Sequence, residues 1–430
     1  MASSKANVIV FGATGFTGKY IVRECAKKNN FSWSVAGRNE AKLRELLEHV
    51  SLDVGTDVTQ KEIIIADCSQ PESLTRMADR GKVVINCTGP YRFYGESVVK
   101  ACIDCGTHYV DVTGEPEFME KMQLMYHDLA KQNGSYVVNS CGMDSVPADI
   151  GILHFSQNFG GQVNYVETYL SVSTNSDKYE SILNFTTWES AVHGFANLES
   201  LIEIRKKLFA KSKLVKPQPP IPKRPTVHPS PLFDNKPSIP FPGSDRSVIM
   251  RTQMHLANEF GARPIQCNAY LVCNSKLILW GMLLVGYFLQ ILTQYGFGRK
   301  LLLTFPRLFT LGMIGKDGPV QEILRNSCMT FKFYGEGWTE ETMQRNNIDP
   351  KTNSEPTDSY MITSLELYDA AYGFTSMCAV QCALLLLNEP DKLPPNGGVY
   401  TPAGAFHRTS ILEVLAENGV HFKIEKRGKK

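Results

Sequence analysis

Three glycines spaced three residues apart mark the place where this chain could hold an anion. Gly12, Gly15 and Gly18 follow the apolar run Val8-Ile9-Val10-Phe11 and open a stretch of helical character. A string of glycines alone is weak, but a strand before it and a helix after it make the head of a dinucleotide-binding βαβ unit. Gly12 would permit the tight bend, Gly15 would let the backbone approach a pyrophosphate, and Gly18 would let the helix pack against the strand. Free N–H groups at the helix N-terminus would then face the phosphate charge. Gly12, Thr14, Gly15, Phe16 and Gly18 are the candidate pyrophosphate residues.

The end of the second strand decides which dinucleotide. An NAD site usually places an acid there, to accept from the ribose hydroxyls. Here the residues are Ala36-Gly37-Arg38-Asn39. A guanidinium can grip a 2′-phosphate with two hydrogen bonds and stack on adenine. Arg38 therefore favours NADP(H), with NAD(H) as the alternative. Asp67 and Cys68 follow the third strand, where such folds contact adenine. Asn86, Gly89 and Pro90, in the run Asn86-Cys-Thr-Gly-Pro-Tyr91, follow the fourth and are candidates for the nicotinamide side.

The candidate acid–base groups are more scattered. Asp111, Glu115, Asp144, Ser145 and Asp149 gather near the ends of the fifth and sixth strands, and Tyr91 and Tyr94 offer phenols beside the fourth turn. Carboxylates and phenols could move protons near a hydride-transfer site. Tyr91, Tyr94, Asp111 and Asp144 are the catalytic candidates, and none is decisive. Asp144 and Ser145 read more readily as helix capping, because Pro147 suits a first helical turn. Trp188 and His193 lie on a helix-like stretch, where a packed or solvated histidine is the simpler reading. The histidines lack ligand spacing, so no metal site is expected. Cys102 and Cys105 have C-x-x-C spacing without a partner pair, which argues against redox or metal work.

The elements that would position these residues follow from periodicity. Short apolar runs at Val8–Phe11, Trp33–Ala36, Ile63–Ala66, Val83–Cys87, Tyr109–Val112 and Tyr136–Val138 alternate with amphipathic segments. Leu43, Leu46, Leu47 and Val50 form one apolar stripe behind Asn39, a plausible N-cap. Ser69-Gln70-Pro71-Glu72 has capping-box spacing. Alternation of this kind implies a parallel sheet covered on both faces, an α/β, Rossmann-type doubly wound domain over residues 1–155. Later, Tyr165–Val172, Met329–Tyr334 and Met361–Leu367 are β-rich without crossover helices. They predict a substrate-type α+β domain over 156–368 with a largely antiparallel sheet. Within it, residues 216–242 hold ten of the 23 prolines and read as a long surface loop, more a structural wrap than a docking site. Residues 369–430 form a C-terminal segment with an apolar helix near Ser376 to Leu387 and a last helix near Ser410 to Asn418.

Taken together, these strings resemble the saccharopine dehydrogenase-like oxidoreductases. The resemblance rests on Val10 to Gly18, Ala36-Gly-Arg38 and Asn86 to Gly95. It continues through Asp111-Val-Thr-Gly-Glu115, Gly142 to Gly151 and Gly397-Gly-Val-Tyr-Thr-Pro402. It implies a nucleotide domain interrupted by a substrate domain, with the C-terminal segment packing back on the first. It also implies an association with lipid droplets, and a lipid-linked substrate by analogy with bacterial enoyl reductases of glycolipid assembly. It supplies no catalytic residue.

Leu277 to Leu292 is apolar on every helical face. As a helix its sixteen residues reach roughly 24 Å, short of the roughly 30 Å core of a bilayer. A second apolar run from Leu301, broken by Pro306, extends to Ile314. An interrupted pair of apolar pieces flanked by cations suits a hairpin dipping into a lipid monolayer or one membrane leaflet. A buried core helix is the competing reading.

The formal net charge of +2 argues against a nucleic-acid binder. Eleven unpatterned cysteines and the lack of a secretory signal lead to an expectation of a cytosol-facing protein. The resemblance and the apolar segment imply lipid droplets or membranes as its place, with mitochondria as an alternative. Oligomers are compatible with the sequence. Two functions stay open: an NADPH-dependent reductase of an apolar small-molecule substrate, or a catalytically silent nucleotide-binding scaffold.

Overall fold

The structure is a computed structural model that describes residues 5–28, 30–174, 184–210, 217–310, 312–315, 326–345 and 355–430. Lys216, at the head of the proline-rich segment, and Leu311, inside the apolar insertion, lie outside the described residues. The chain divides into two compact units, Met1–Met143 with Ala371–Val414, and Asp144–Ala370 with Leu415–Lys430.

The first unit is built on β1 (Ala6–Phe11), β2 (Trp33–Gly37), β3 (Ile63–Ile65), β4 (Gly81–Asn86), β5 (His108–Asp111) and β6 (Tyr136–Val138). All pair in parallel, in the order β6-β5-β4-β1-β2-β3. Near-continuous burial of these strands is the signature of a sheet covered on both faces. The strand order reverses between β1 and β4, where Phe11 and Asn86 are in register. Both glycine-bearing turns therefore leave the sheet side by side at its carboxyl edge, the usual ligand crevice of such folds. Asn39 caps the helix Glu40–Val54 as its sequence implied, its side chain accepting from the N–H of Lys42 at 3.0 Å. The capping box at Ser69 does not form. Gln70 takes the N-cap position, while the Ser69 hydroxyl donates to Asp67 Oδ1 at 2.8 Å.

The tail adds a seventh strand, Gly398–Tyr400, parallel to β6. Gly397 has φ +81°, and a Cβ there would meet the carbonyl oxygen of Ser135 at 2.6 Å, so the entry to this strand needs glycine. The helix Thr375–Asn388 packs on the helix Phe16–Lys28 and on β4 and β5. The stretch Ala370–Asn388 is long and apolar enough to cross a membrane by length and composition. It is mostly buried in the protein, as a core helix is.

The second unit carries a seven-stranded mixed sheet. Three of its long strands, Gly161–Thr174, Ser327–Thr339 and Ser359–Tyr368, cover the β-rich runs seen in the sequence and pair antiparallel. The rest were hidden. Gln266–Val272 pairs parallel with Gly161–Thr174, so the sheet is not wholly antiparallel. His228–Pro229 and Pro237–Pro240 lie inside the proline-rich segment and finish one side of the sheet, with His228–Pro229 as its edge strand. That segment is a wrap: the Arg224 guanidinium donates to both oxygens of the buried Glu167 at 2.6 and 2.7 Å. Two boundaries differ from expectation. The helix Val146–Asn158 belongs to the second unit, where a Cβ on Gly151 would strike the Phe333 ring at 2.3 Å. Residues 415–430 join it too, because Lys423–Lys429 pairs with Ser359–Tyr368 as an edge strand.

Candidate cofactor site

Each glycine of the first turn has a distinct environment. Gly12 has φ +76°, and a Cβ on it would lie 2.8 Å from Thr88 Cγ2 and 3.2 Å from the Cys87 carbonyl carbon. A Cβ on Gly18 would come within 2.3 Å of the Gly12 carbonyl oxygen, so the helix Phe16–Lys28 can start here only on glycine. A Cβ on Gly15 would meet a single atom, the Gly12 carbonyl oxygen at 3.1 Å. Apart from that oxygen no protein atom crowds the space over Gly15, and the first turn of the helix carries no acid to occupy it. Thr14 is half-buried beside it. The Phe16 ring packs 4.6 Å from Tyr372 and 5.7 Å from Tyr20. It anchors the helix start by packing.

Arg38 is exposed at the end of β2 and makes no ion pair among the described residues. Its charge reaches Asp67 and Cys68, which places the three on one side of the crevice. The Asp67 carboxyl is held below its usual range chiefly by the N–H and hydroxyl of Ser69, with Arg38 a smaller influence. Burial pushes the Cys68 thiol up.

Asn86 ends β4, at the head of the second turn. It is fully buried, and its Oδ1 accepts from the Thr88 N–H at 3.0 Å and the Thr88 hydroxyl at 2.5 Å. Its amide donates to the Tyr109 hydroxyl at 3.1 Å. Asn86 therefore braces the Thr88 turn against Gly12 from beneath. Gly89 is half-buried and Pro90 buried, at the head of the helix Tyr91–Asp104.

The acid–base candidates separate by burial. Asp111 is buried with all four acceptor positions used: Thr113 N–H at 3.1 Å, Ser140 N–H at 2.8 Å, Tyr109 hydroxyl at 2.9 Å and Asn139 amide at 2.8 Å. Burial pushes its carboxyl up to about 6, against the lowering by those four donors. Tyr91 is buried too, its hydroxyl donating to the Asn86 carbonyl at 2.9 Å. Burial raises that phenol well above its ordinary value. Both groups hold the end of the sheet together. Tyr94 is exposed.

Glu115 has a role that its sequence position, far from the turn it serves, gave no sign of. Its carboxylate accepts from the N–H of Tyr91 at 2.8 Å and of Arg92 at 3.2 Å. It thus caps the helix Tyr91–Asp104 across 24 residues of sequence, and the Arg92 side chain pairs with Glu115 and Glu117. That helix start already holds an anion.

Asp144, Ser145, Asp149, Trp188 and His193 sit in the second unit. Ser145 occupies the N-cap position of the helix Val146–Asn158, but its side chain makes no capping bond. Its hydroxyl lies 3.1 Å from that of Ser244, which donates to the Asp144 carbonyl at 3.1 Å. Asp149 accepts from the Thr252 hydroxyl at 2.9 Å. Burial pushes Asp144 up, and burial first, with Asp144 and Asp149 beside it, raises Asp245 well above its ordinary value, a group the sequence did not single out. Trp188 is a core residue whose indole donates to the Leu302 carbonyl at 3.0 Å, and His193 is half-buried on the same helix. Burial raises the thiols of Cys102 and Cys105, the opposite of an activated pair. Among the described residues no group of three or more His, Cys, Asp or Glu side chains could hold a metal ion.

The apolar insertion folds as three helices, Lys276–Leu292, Gly296–Thr304 and Pro306–Phe309. Its sequence is apolar all round, yet its packing is one-sided. Leu279 joins Ile239 and Cys273, while Leu289 joins Trp188, Val192, Leu302 and Ile314. Leu277, Trp280, Leu284, Tyr287 and Ile291 follow one another at helical spacing on the face left exposed. Leu277 is 82% exposed, Trp280 67%, and further along Phe297 77% and Leu308 70%.

Comparison with known proteins agrees with the dinucleotide-binding fold. The saccharopine dehydrogenase NADP binding domain matches residues 8–138. A saccharopine dehydrogenase-like oxidoreductase of Bos taurus is 36% identical over 430 residues, covering 97% of each chain. A lipid droplet localized protein of Caenorhabditis elegans is 36% identical over 428 residues, covering 98% of this chain and 99% of its own. Among solved structures, apo saccharopine dehydrogenase (L-Glu forming) of Saccharomyces cerevisiae covers 99% of this chain and all of its own, with TM-score 0.56 and 12% identity, a likeness of fold alone. With the glycine turn in place at the switch point and that similarity running the length of the chain, this protein belongs to the saccharopine dehydrogenase-like oxidoreductases and carries their NADP-binding domain.

Proposed function

We propose that this protein is an NADPH-dependent reductase of an apolar, lipid-linked substrate, working while attached to a lipid surface. The observation that carries the reading is the exposed apolar face from Leu277 to Ile291, continued by Phe297 and Leu308. Contiguous apolar surface of this kind marks an interaction site. The aromatic groups Trp280 and Tyr287 suit the boundary between acyl chains and headgroups. Such a face supports a lipid droplet or membrane leaflet as the place of work, in keeping with the name of the nematode relative.

The cofactor reading is supported by the open space over Gly15 and the acid-free helix start behind it. Gly12 to Gly18 would receive the pyrophosphate, and the exposed Arg38 would take a 2′-phosphate, selecting NADP(H) over NAD(H). When bound, the cofactor supplies a hydride to an electron-poor carbon. Asn86 and Thr88 would hold the turn that faces its nicotinamide end, and Asp111 would keep that edge of the sheet rigid.

One observation favours a second reading, a nucleotide-binding scaffold without turnover. Tyr91 and Asp111, two of the proton-handling candidates, are buried with their polar atoms already bonded. Purified protein offered NADPH and lipid fractions decides between the two readings. Lipid-dependent NADPH oxidation supports the reductase, and binding without oxidation in every fraction supports the scaffold.

A further inference from the structure

We infer that the lipid surface this protein takes carries anionic phospholipid headgroups, recognised by cations that border its exposed apolar face. The inference rests on the lipid-surface reading above and adds headgroup charge to it. Across the chain the charges nearly balance, with 45 Lys and Arg against 43 Asp and Glu. From Gly261 through Gly315 the sequence contains no Asp or Glu, while it contains Arg263, Lys276, Arg299, Lys300 and Arg307.

The structure sorts those cations. Arg263 is buried, bonded to the Asn164 side chain and the Gln218 carbonyl. Arg299 donates to the Thr293 carbonyl at 2.8 Å. Lys276, Lys300 and Arg307 are exposed, the Arg307 guanidinium lying against Gly315. Each stands beside a large exposed apolar residue: Lys276 precedes Leu277, Lys300 lies one helical turn from Phe297, and Arg307 precedes Leu308. Paired in this way, an apolar group enters the acyl region while a cation stays at headgroup level. A neutral surface would tolerate carboxylates along this border as readily as cations. An anionic surface would repel them, which accounts for their absence as well as for the lysines and arginine.

The test is flotation of the full chain with vesicles of phosphatidylcholine alone or with phosphatidylserine added, at low and high salt. Each exposed cation near an anionic surface is worth about fivefold in binding, so three give on the order of 10²-fold at low salt. The parent should prefer the anionic vesicles by at least about tenfold, and salt should erase most of that preference. Lys276→Gln with Lys300→Gln and Arg307→Gln should bind both vesicles as the parent binds the neutral one. Lys276→Arg with Lys300→Arg and Arg307→Lys should keep the preference, which separates lost charge from lost fold. Trp280→Ser with Leu308→Ser should weaken binding to both vesicles alike. Equal binding of the parent to the two vesicles, or a preference that survives in the glutamine variant, overturns the inference and leaves the lipid-surface reading standing. A parent that floats with neither overturns both.

Discussion

Gly12 and Thr88 meet at the point where the first sheet reverses its strand order, so closely that a Cβ on Gly12 would lie 2.8 Å from Thr88 Cγ2. The turn after β1 and the turn after β4 are thus packed directly against each other. Beneath them the buried Asn86 accepts both the N–H and the hydroxyl of Thr88.

Gly12 and Gly15 should fail in different ways. Gly12→Val puts a branched residue at φ +76° against a neighbouring backbone, so the first unit should lose stability, seen as a lower thermal midpoint. Gly15→Val presses only on the Gly12 carbonyl oxygen, which would have to give slightly, so it should lower the midpoint far less than Gly12→Val while abolishing NADPH binding. Normal NADPH titration by the Gly15 variant would place the nucleotide elsewhere.

Arg38→Asp removes a charge-assisted phosphate contact and adds a repulsive carboxylate. It should weaken NADPH on the order of 10²-fold and leave NADH little changed or slightly tighter, as read by titration calorimetry. Equal weakening of both would show that Arg38 does not meet the 2′-phosphate.

Asp111 gives a prediction with a definite sign. Its carboxyl is raised to about 6 in the folded protein, above its ordinary value of 3.8. Folded protein therefore holds this proton more tightly than the unfolded chain does. Its contribution to stability is greatest below about pH 4 and declines as pH rises to about 6, levelling beyond. A shift of about two units corresponds to about 2 to 3 kcal/mol at most. Denaturant titrations of the parent and Asp111→Asn should show their difference in stability shrinking by that order across this window. A difference that grows with pH would mean that the carboxylate is favoured where it lies.

The lipid-facing surface can be tested without harming the core. Trp280→Glu with Leu284→Arg alters exposed residues, whereas Val285 packs against the Trp188 cluster and is best left alone. Each large apolar side chain transferred to acyl chains contributes about 1.5 to 3 kcal/mol. The double variant should move from floating lipid droplets to the soluble fraction and still bind NADPH. Retention on droplets would locate the attachment elsewhere.

Much of the first unit was legible because its signals are local. Six buried strands, the Asn39 cap and the Leu43–Val50 stripe each express themselves within a few residues. What stayed hidden depends on residues far apart. Glu115 caps a helix that begins 24 residues earlier, and Lys423–Lys429 is a strand because an edge can be lined with lysine and arginine. Burial was hidden too: Asn86, Tyr91 and Asp111 look like reactive groups until their neighbours use up their hydrogen bonds. The one-sided packing of Lys276–Leu292 could not be read from a segment whose faces are all apolar.

The most direct test of the account is a comparison of NADPH fluorescence decay over lipid-droplet extract with the parent and with Gly15→Val. The account predicts extract-dependent loss of NADPH with the parent, little loss without extract, and none above background with the variant. A parent that binds NADPH yet consumes none in any lipid fraction would contradict a reductase and leave a nucleotide-binding protein of the lipid surface.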